Sequence, residues 1–252
     1  MGIDLLLSLR CDIGGGSHVN EDLILVSGEK FRDSTDEFPA AVQHNGRFVA
    51  AIADGMGGHH SGESTSEMAL DLFDDYIVNL PEGLSDKDFR SQLDHGINKI
   101  HQALSKSHTN PECCGMGTAL VSWLTYNNRI YLVNAGDNRA YRLRNGILCQ
   151  LTTDHTLQNK DHDHALPPNI IHHCPGGGGE YAFADIMELT EKVFEEDVFL
   201  LCSDGLYDAM SEEEIESLLC GPCHASTLID AAKAKGSQDD ISAIVITIKK
   251  ME

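Results

Sequence analysis

Positive charge is scarce in this 252-residue chain: 18 Lys and Arg stand against 40 Asp and Glu, a formal net charge of -22 at pH 7. That balance argues against nucleic acid or an anionic membrane as a partner, because both attract basic patches. An anionic substrate would need local positive charge, and metal ions are the obvious supply. Long apolar runs are also missing. No stretch of about 18 apolar residues occurs, so no membrane span is expected, and no basic segment precedes Leu5-Leu6-Leu7, so no signal peptide is expected. The eight cysteines lack regular spacing, which fits reduced thiols in the cytoplasm better than a disulfide framework. Gly14-Gly15-Gly16 lacks the spacing and the following helix of a dinucleotide fingerprint and reads as a loop that brings Glu21 and Asp22 inward. Cys220-Gly221-Pro222-Cys223 has the filling of a redox motif. It follows an amphipathic helical segment, however, and so reads as a turn between helices.

The 41% hydrophobic content is ample for a core, and the length suits one large domain, 1–252. The stretch on which the chain is centred is Ala51 to Glu63. Arg47 to Ala53 reads as a buried strand that delivers Asp54 at its end, into a glycine-rich turn where backbone can approach whatever the carboxylate holds. Asp-Gly is also a common turn dipeptide, so other segments must support the reading.

Short strands are expected at Ile3 to Leu9 and Leu23 to Val26. A helix is expected from Glu63 to Leu80, with Ser64 and Glu67 at capping-box spacing, and a second carries Phe89, Leu93, Ile97, Ile100 and Leu104 on one stripe after a start signal at Ser85 to Asp88. A meander follows: Thr118 to Leu124, Arg129 to Ala135, Ala140 to Arg144 and Ile147 to Leu151, with Asn145-Gly146 as a two-residue hairpin turn. Paired helices and meandering strands point to antiparallel sheet covered by helices, an α+β class. Thr152 to Ala184 shows no sustained period and reads as a long surface loop. Asp197 to Cys202 is a second apolar strand ending on Asp204-Gly205, two helical pieces cover Ser211 to Leu219 and His224 to Lys235, and Asp239-Asp240 opens a last strand, Ile241 to Ile248.

Carboxylates therefore meet strand ends at Glu21-Asp22, Asp54, Asp204 and Asp239-Asp240, and Asp137 sits in a Gly-Asp-Asn-Arg turn. Gathered in one cleft, they would repel and require protons or cations. Mg2+ or Mn2+ prefers this oxygen set, and two such ions ~3.5–4 Å apart could share a carboxylate, activate water and hold a phosphoryl group.

Asn20-Glu21-Asp22, Asp54-Gly55-Met56-Gly57-Gly58-His59, Gly115-Met116-Gly117-Thr118, Gly136-Asp137-Asn138-Arg139-Ala140-Tyr141, Leu151-Thr152-Thr153-Asp154-His155, Leu201-Cys202-Ser203-Asp204-Gly205-Leu206 and Gln238-Asp239-Asp240-Ile241-Ser242 resemble, in this order, the metal-dependent protein phosphatases of the PPM (type 2C) family, especially its bacterial single-domain kind. The resemblance implies a four-layer αββα sandwich of two antiparallel sheets flanked by helix pairs. It implies a cytoplasmic, monomeric serine/threonine phosphatase using two Mn2+ or Mg2+ ions and a metal-activated water, acting on phosphorylated protein against an opposing Ser/Thr kinase. By position, Asp54 matches the bridging ligand and Gly55 a carbonyl donor. Asp204 and Asp239 match ligands of one ion, Glu21 and Asp22 match direct or water-mediated ligands, and Asp137 with Asp204 matches a third-metal position. Residues of about 152–185 fall where the family keeps its substrate-contacting flap.

Several positions depart from the family pattern. Ser17 stands where an arginine usually clamps the phosphate, and a serine offers one hydrogen bond in place of a bidentate cation; Arg10 and His18 are the nearest candidates to replace it. Met56 occupies the slot of a general-acid histidine, leaving that role to water, His59 or His60. Asn138 replaces a serine, and Asp240 an asparagine beside the metals. The flap carries His155, His162, His164, His172 and His173, which could bind a transition metal or confer pH sensitivity. A catalytically weak binding module that recognises a phosphoprotein is the alternative to an enzyme.

Overall fold

Two six-stranded antiparallel sheets stack face to face in the computed structural model, which describes residues 2–42, 46–57, 61–107, 116–162, 166, 170–177, 179–221 and 224–251. The strands are β1 (Ile3–Asp12), β2 (Asp22–Val26), β3 (Glu29–Phe31), β4 (Ser34–Val42), β5 (Phe48–Met56), β6 (Gly117–Tyr126), β7 (Arg129–Ala135), β8 (Arg139–Arg144), β9 (Ile147–Gln150), β10 (Asp185–Glu188), β11 (Val198–Cys202) and β12 (Ile241–Met251). The helices are α1 (Ser61–Val78), α2 (Asp86–Ser107), α3 (Leu157–Asp161), α4 (Asp204–Tyr207), α5 (Glu212–Leu219) and α6 (Ala225–Ala234). One sheet runs β4-β1-β12-β11-β8-β9 and the other β10-β7-β6-β5-β2-β3.

Strand alternation decides which side chains meet. Leu7 and Leu9 of β1, Ile52 of β5, Trp123 of β6 and Ile244, Ile246 and Ile248 of β12 fill the space between the sheets. The opposite faces of the second sheet, with Ala51, Ala53, Leu120 and Leu124, pack on α1 and α2. The opposite faces of the first, with Leu200, Ala243 and Val245, pack on α4, α5 and α6. The central strands of each layer are thus covered on both sides, which is why β5 and β6 are mostly apolar rather than strictly alternating. The expected αββα sandwich is the observed one.

The stripe on α2 is a core face, with Phe89, Leu93, Ile97, Ile100 and Leu104 all buried. Phe89 lies between the rings of Tyr126 and Tyr131, at centroid distances of 4.3 and 4.4 Å. Ser85 accepts a hydrogen bond from Asp88 N and starts the helix as expected. The capping box expected at Ser64 and Glu67 does not form, because α1 begins earlier, at Ser61. Glu67 instead pairs with Lys30 at 2.8 Å. A complete capping box occurs at Ser211 and Glu214, ahead of α5. The two-residue turns behave as their composition dictates: Asn127, Asn128, Asn145 and Gly146 all have positive φ, which matches the strand twist across tight hairpins.

Two features differ from expectation and a third agrees with it. β3 and β4 are edge strands of different sheets, β3 beside β2 and β4 beside β1, and composition hides them: β4 is a mostly exposed edge strand carrying Asp36, Glu37 and Pro39. Where a mobile surface loop is expected, the described part of 152–185 is tied down: α3 is capped by Thr156, which pairs with Ile171, and Thr118 N donates to Pro175 O at 2.9 Å. Cys220 is the C-terminal cap of α5, with α6 following, so a turn between helices is present; Pro222 and Cys223 lie outside the described residues.

Candidate metal centre

The site lies at one end of the space between the sheets, where β2, β5, β11 and β12 begin or end. β2 and β5 pair so that Asp22 and Asp54 stand opposite each other. α4 starts at Asp204 immediately after β11, and Asp239 precedes β12. Five carboxylates, Asp22, Asp54, Asp137, Asp204 and Asp239, are close enough to perturb one another's ionisation. Burial raises the Asp54 pKa well above the ordinary value, and the charges of Asp22, Asp204, Asp137 and Asp239 add to it. Asp204 is raised in the same direction by burial, then by Asp239, Asp137 and Asp22. Burial pushes Asp22 up to about 7 against the opposing hydrogen bonds of Ser203 and Ser242. Burial also takes Asp137 to about 6. Asp239 and Glu21 are raised as well, chiefly by desolvation.

Backbone and small residues build this cage. Gly55 N donates to Glu21 O at 3.2 Å, and a Cβ on Gly55 would lie 2.0 Å from Gly62 O. Gly62, in the first turn of α1, hydrogen-bonds the Glu21 carboxylate through its N–H and has no room for a side chain either. Gly55→Ala must therefore push α1 away from β5; we expect a loss of about 2 kcal/mol or more, read from denaturant midpoints, on the scale of overpacking in a filled core. Gly14 and Gly205 press in the same way on Asp239 O and Asp240 O, where a Cβ would come within 2.0 and 2.2 Å.

Sequence reasoning missed the groups that hold the ligand candidates. Ser203 Oγ donates to Asp22 Oδ2 at 2.7 Å and accepts from Ser242 N at 2.9 Å, bridging the two sheets. Arg139 grips both oxygens of Asp154, at 2.7 to 3.1 Å, and lies 3.6 Å over the Tyr207 ring. Tyr207 in turn donates to Asp137 O at 3.0 Å. Arg32 donates to Asp22 O at 3.1 Å and pairs with Glu63 at 2.8 Å, tying β2 to α1. The quoted motifs contained Ser203, Arg139 and Asp154, and that was the only signal that could have found them.

Other expected site residues stand elsewhere. Arg10 points to the outer face of β1, where it pairs with Asp12 at 2.6 Å and Asp230 of α6 at 2.7 Å. It is therefore not available to the cleft and cannot replace the missing arginine. Ser17 lies in the half-buried loop beside Gln238, its N–H bonded to Gly14 O at 3.4 Å, and His18 is exposed. His59, His60 and His164 lie outside the described residues. His155 uses both ring nitrogens within the fold: Nδ1 accepts from Gly136 N at 3.2 Å and Nε2 faces Asp185 at 3.1 Å. His173 accepts from Phe183 N at 2.9 Å, and burial lowers the pKa of both His172 and His173. These contacts tie His155 and His173 to Gly136, Asp185 and Phe183 within the fold.

A divalent cation fits the donor chemistry on one observation in particular. Asp22 Oδ1 and Asp204 Oδ1 are buried without a hydrogen-bond partner, whereas the carboxylates of Asp154, Asp197 and Asp240 are held by arginine or backbone. Among the described residues, no three His, Cys, Asp or Glu side chains stand together at metal-ligating geometry.

A polyanionic cleft at the end of an αββα sandwich defines a class of fold and site suited to hard divalent ions. The family model for protein phosphatase 2C matches residues 25–234, and the chain belongs to that family. It is 29% identical over 252 residues to the serine/threonine phosphatase stp of Listeria monocytogenes serotype 4b, covering 94% of this chain and 93% of the relative. Among solved structures, the S. agalactiae serine/threonine phosphatase aligns with a TM-score of 0.80 at 25% identity, over 97% of this chain and all of that one. The catalytic domain of the serine/threonine phosphatase PstP in complex with two manganese ions aligns with a TM-score of 0.74 at 29% identity, over 98% of this chain and all of that one.

Proposed function

We propose that this chain hydrolyses phosphoserine and phosphothreonine in proteins, using two Mn2+ or Mg2+ ions held by Asp54, Asp204, Asp239, Asp22 and Glu21 with the Gly55 carbonyl, and a third at Asp137 and Asp204. The gathering of carboxylates whose burial and mutual repulsion call for cations carries this reading, and the unpartnered oxygens of Asp22 and Asp204 support it. The two manganese ions of the PstP catalytic domain give the same count in a relative.

When bound, such ions supply a water acidic enough to be a nucleophile at neutral pH and positive charge for the phosphoryl oxygens. The chain's own residues do the rest. Asp22, Asp54 and Asp204, whose pKa values burial raises, would have to be ionised to ligate, which would make metal uptake pH-dependent. Ser203 holds Asp22 Oδ2 and leaves Oδ1 buried without a partner. The Arg139–Asp154 pair and Tyr207 fix the turn that carries Asp137. Around this centre, residues 1–252 form one catalytic domain with 152–185 as its flap. We further propose a monomeric cytoplasmic enzyme that opposes a Ser/Thr kinase; the five described cysteines are free thiols, and among the described residues no helix is long and apolar enough to cross a membrane.

The test is release of inorganic phosphate from a phosphothreonine peptide by the full chain with Mn2+. Release that chelator abolishes is expected; none at any metal concentration would overturn the proposal. Ser17 motivates the second reading, a weak enzyme or binding module. Ser17→Arg adds a bidentate cation where one is lacking, and we expect KM for the peptide to fall about tenfold, the scale of one charge-assisted contact of ~1.4 kcal/mol or more. Absence of turnover in both forms would favour the module.

A further inference from the structure

We infer that Asp240 is a positioning residue whose carboxylate fixes Glu21 in the metal centre by accepting the backbone N–H of Glu21 and of Gly14. This rests on the metal-dependent reading above. Asp240 is 4% exposed, its carboxylate set among backbone groups. Its Oδ2 accepts from Glu21 N at 2.7 Å and its Oδ1 from Gly14 N at 2.9 Å, both segments lying more than 200 positions away in sequence. Its own N–H donates to Asp239 Oδ1 at 2.9 Å, and its carbonyl abuts Gly205 next to Asp204. One residue thus joins the segments that carry Glu21, Asp204 and Asp239.

The second carboxylate oxygen is what an asparagine lacks. An amide would accept one N–H and turn its own NH2 toward the other, setting two donors face to face. The Gly14 end cannot yield. Gly15 and Gly16 are bonded to Ser237 O and Gln238 O at 3.3 and 2.8 Å, and Gly14 is pressed against Asp239 O. The Glu21 end must move instead, and Glu21 would leave its place beside Gly62. The aspartate is therefore fitted to its surroundings by two donors, which accounts for its departure from the asparagine usual in the resembling family.

The experiment is calorimetric titration of Mn2+ into chelator-stripped full-length protein as wild type, Asp240→Asn, Glu21→Gln and the double variant. We expect Asp240→Asn to raise Kd about tenfold or more, as loss of a group that orients a ligand does. The double variant should bind within about twofold of the weaker single, because both changes act through one side chain. At saturating Mn2+, kcat for Asp240→Asn should return to within about threefold of wild type, a split that general unfolding would not give. Amide exchange on the metal-free wild type supplies a check that needs no variant: the Glu21 N–H should be protected. Losses that multiply in the double variant, an unchanged Kd in Asp240→Asn, or an unprotected Glu21 amide would overturn the inference alone. A wild type that binds no Mn2+ would overturn it together with the metal reading.

Discussion

Asp54→Asn should reduce Mn2+-dependent phosphate release from a phosphothreonine peptide by about a thousandfold or more. The expected size follows from what the carboxylate does in the proposal. It serves both ions, and metal assistance contributes several kcal/mol to such a transition state, where each 1.36 kcal/mol is a factor of ten. The same substitution should stabilise the metal-free protein. Asp54 stands opposite Asp22 across β2 and β5, and its ionised form is repelled by Asp22, Asp204, Asp137 and Asp239. A neutral amide of equal size removes that repulsion, so activity falls while the chelated protein's unfolding midpoint rises. Wild-type turnover in Asp54→Asn would contradict the ligand assignment. A lower midpoint in the metal-free form would contradict the electrostatic picture of the cage.

Metal-free protein should also lose stability as pH rises from about 4 to about 7, where ordinary carboxylates make proteins more stable. The sign comes from the raised values. Burial pushes Asp22 up to about 7 and Asp137 to about 6, and Asp54 and Asp204 are raised as well. Across this window the folded state holds protons that the unfolded chain has already released, so stability is full below the unfolded value and lost on passing the folded one. Asp22 alone, shifted from 3.8 to about 7, would contribute about 4 kcal/mol, or roughly 10 °C in Tm for a chain of this size. Thermal scans of chelated protein at pH 5 and pH 8 check this, and Mn2+ at pH 8 should restore the lost stability. A higher Tm at pH 8 without metal would show that the carboxylates are not forced together.

Much of this architecture was legible in the sequence, for identifiable reasons. β5, β6 and β11 are buried on both faces, so their apolar runs could be read without ambiguity. β7 and the Asn145-Gly146 hairpin matched their expected positions because turn chemistry fixes them locally. β4 was not legible, since an edge strand with one exposed face needs neither apolar alternation nor freedom from proline. The short α3 and α4 escaped notice because neither spans enough turns to show a period. Carboxylates at strand ends raised the question of a shared cleft, the resemblance put Asp22, Asp54, Asp137, Asp204 and Asp239 in one centre, and the fold brings them close enough to perturb one another. The parts that orient them were not legible. Ser203 reaches Asp22 across 181 positions and Asp240 reaches Glu21 across 219, and no spacing rule connects residues so far apart. Arg10 was misplaced for the opposite reason: nearness in sequence to Ser17 says nothing of which face of β1 it occupies, and strand alternation puts it against α6.

Anomalous diffraction at the manganese edge, from crystals of the full chain grown with Mn2+, tests the central claim most directly. Two peaks among Asp22, Asp54, Asp204 and Asp239, with Asp54 between them, are the predicted result. An empty cage, or manganese bound only to residues outside it, would contradict the account.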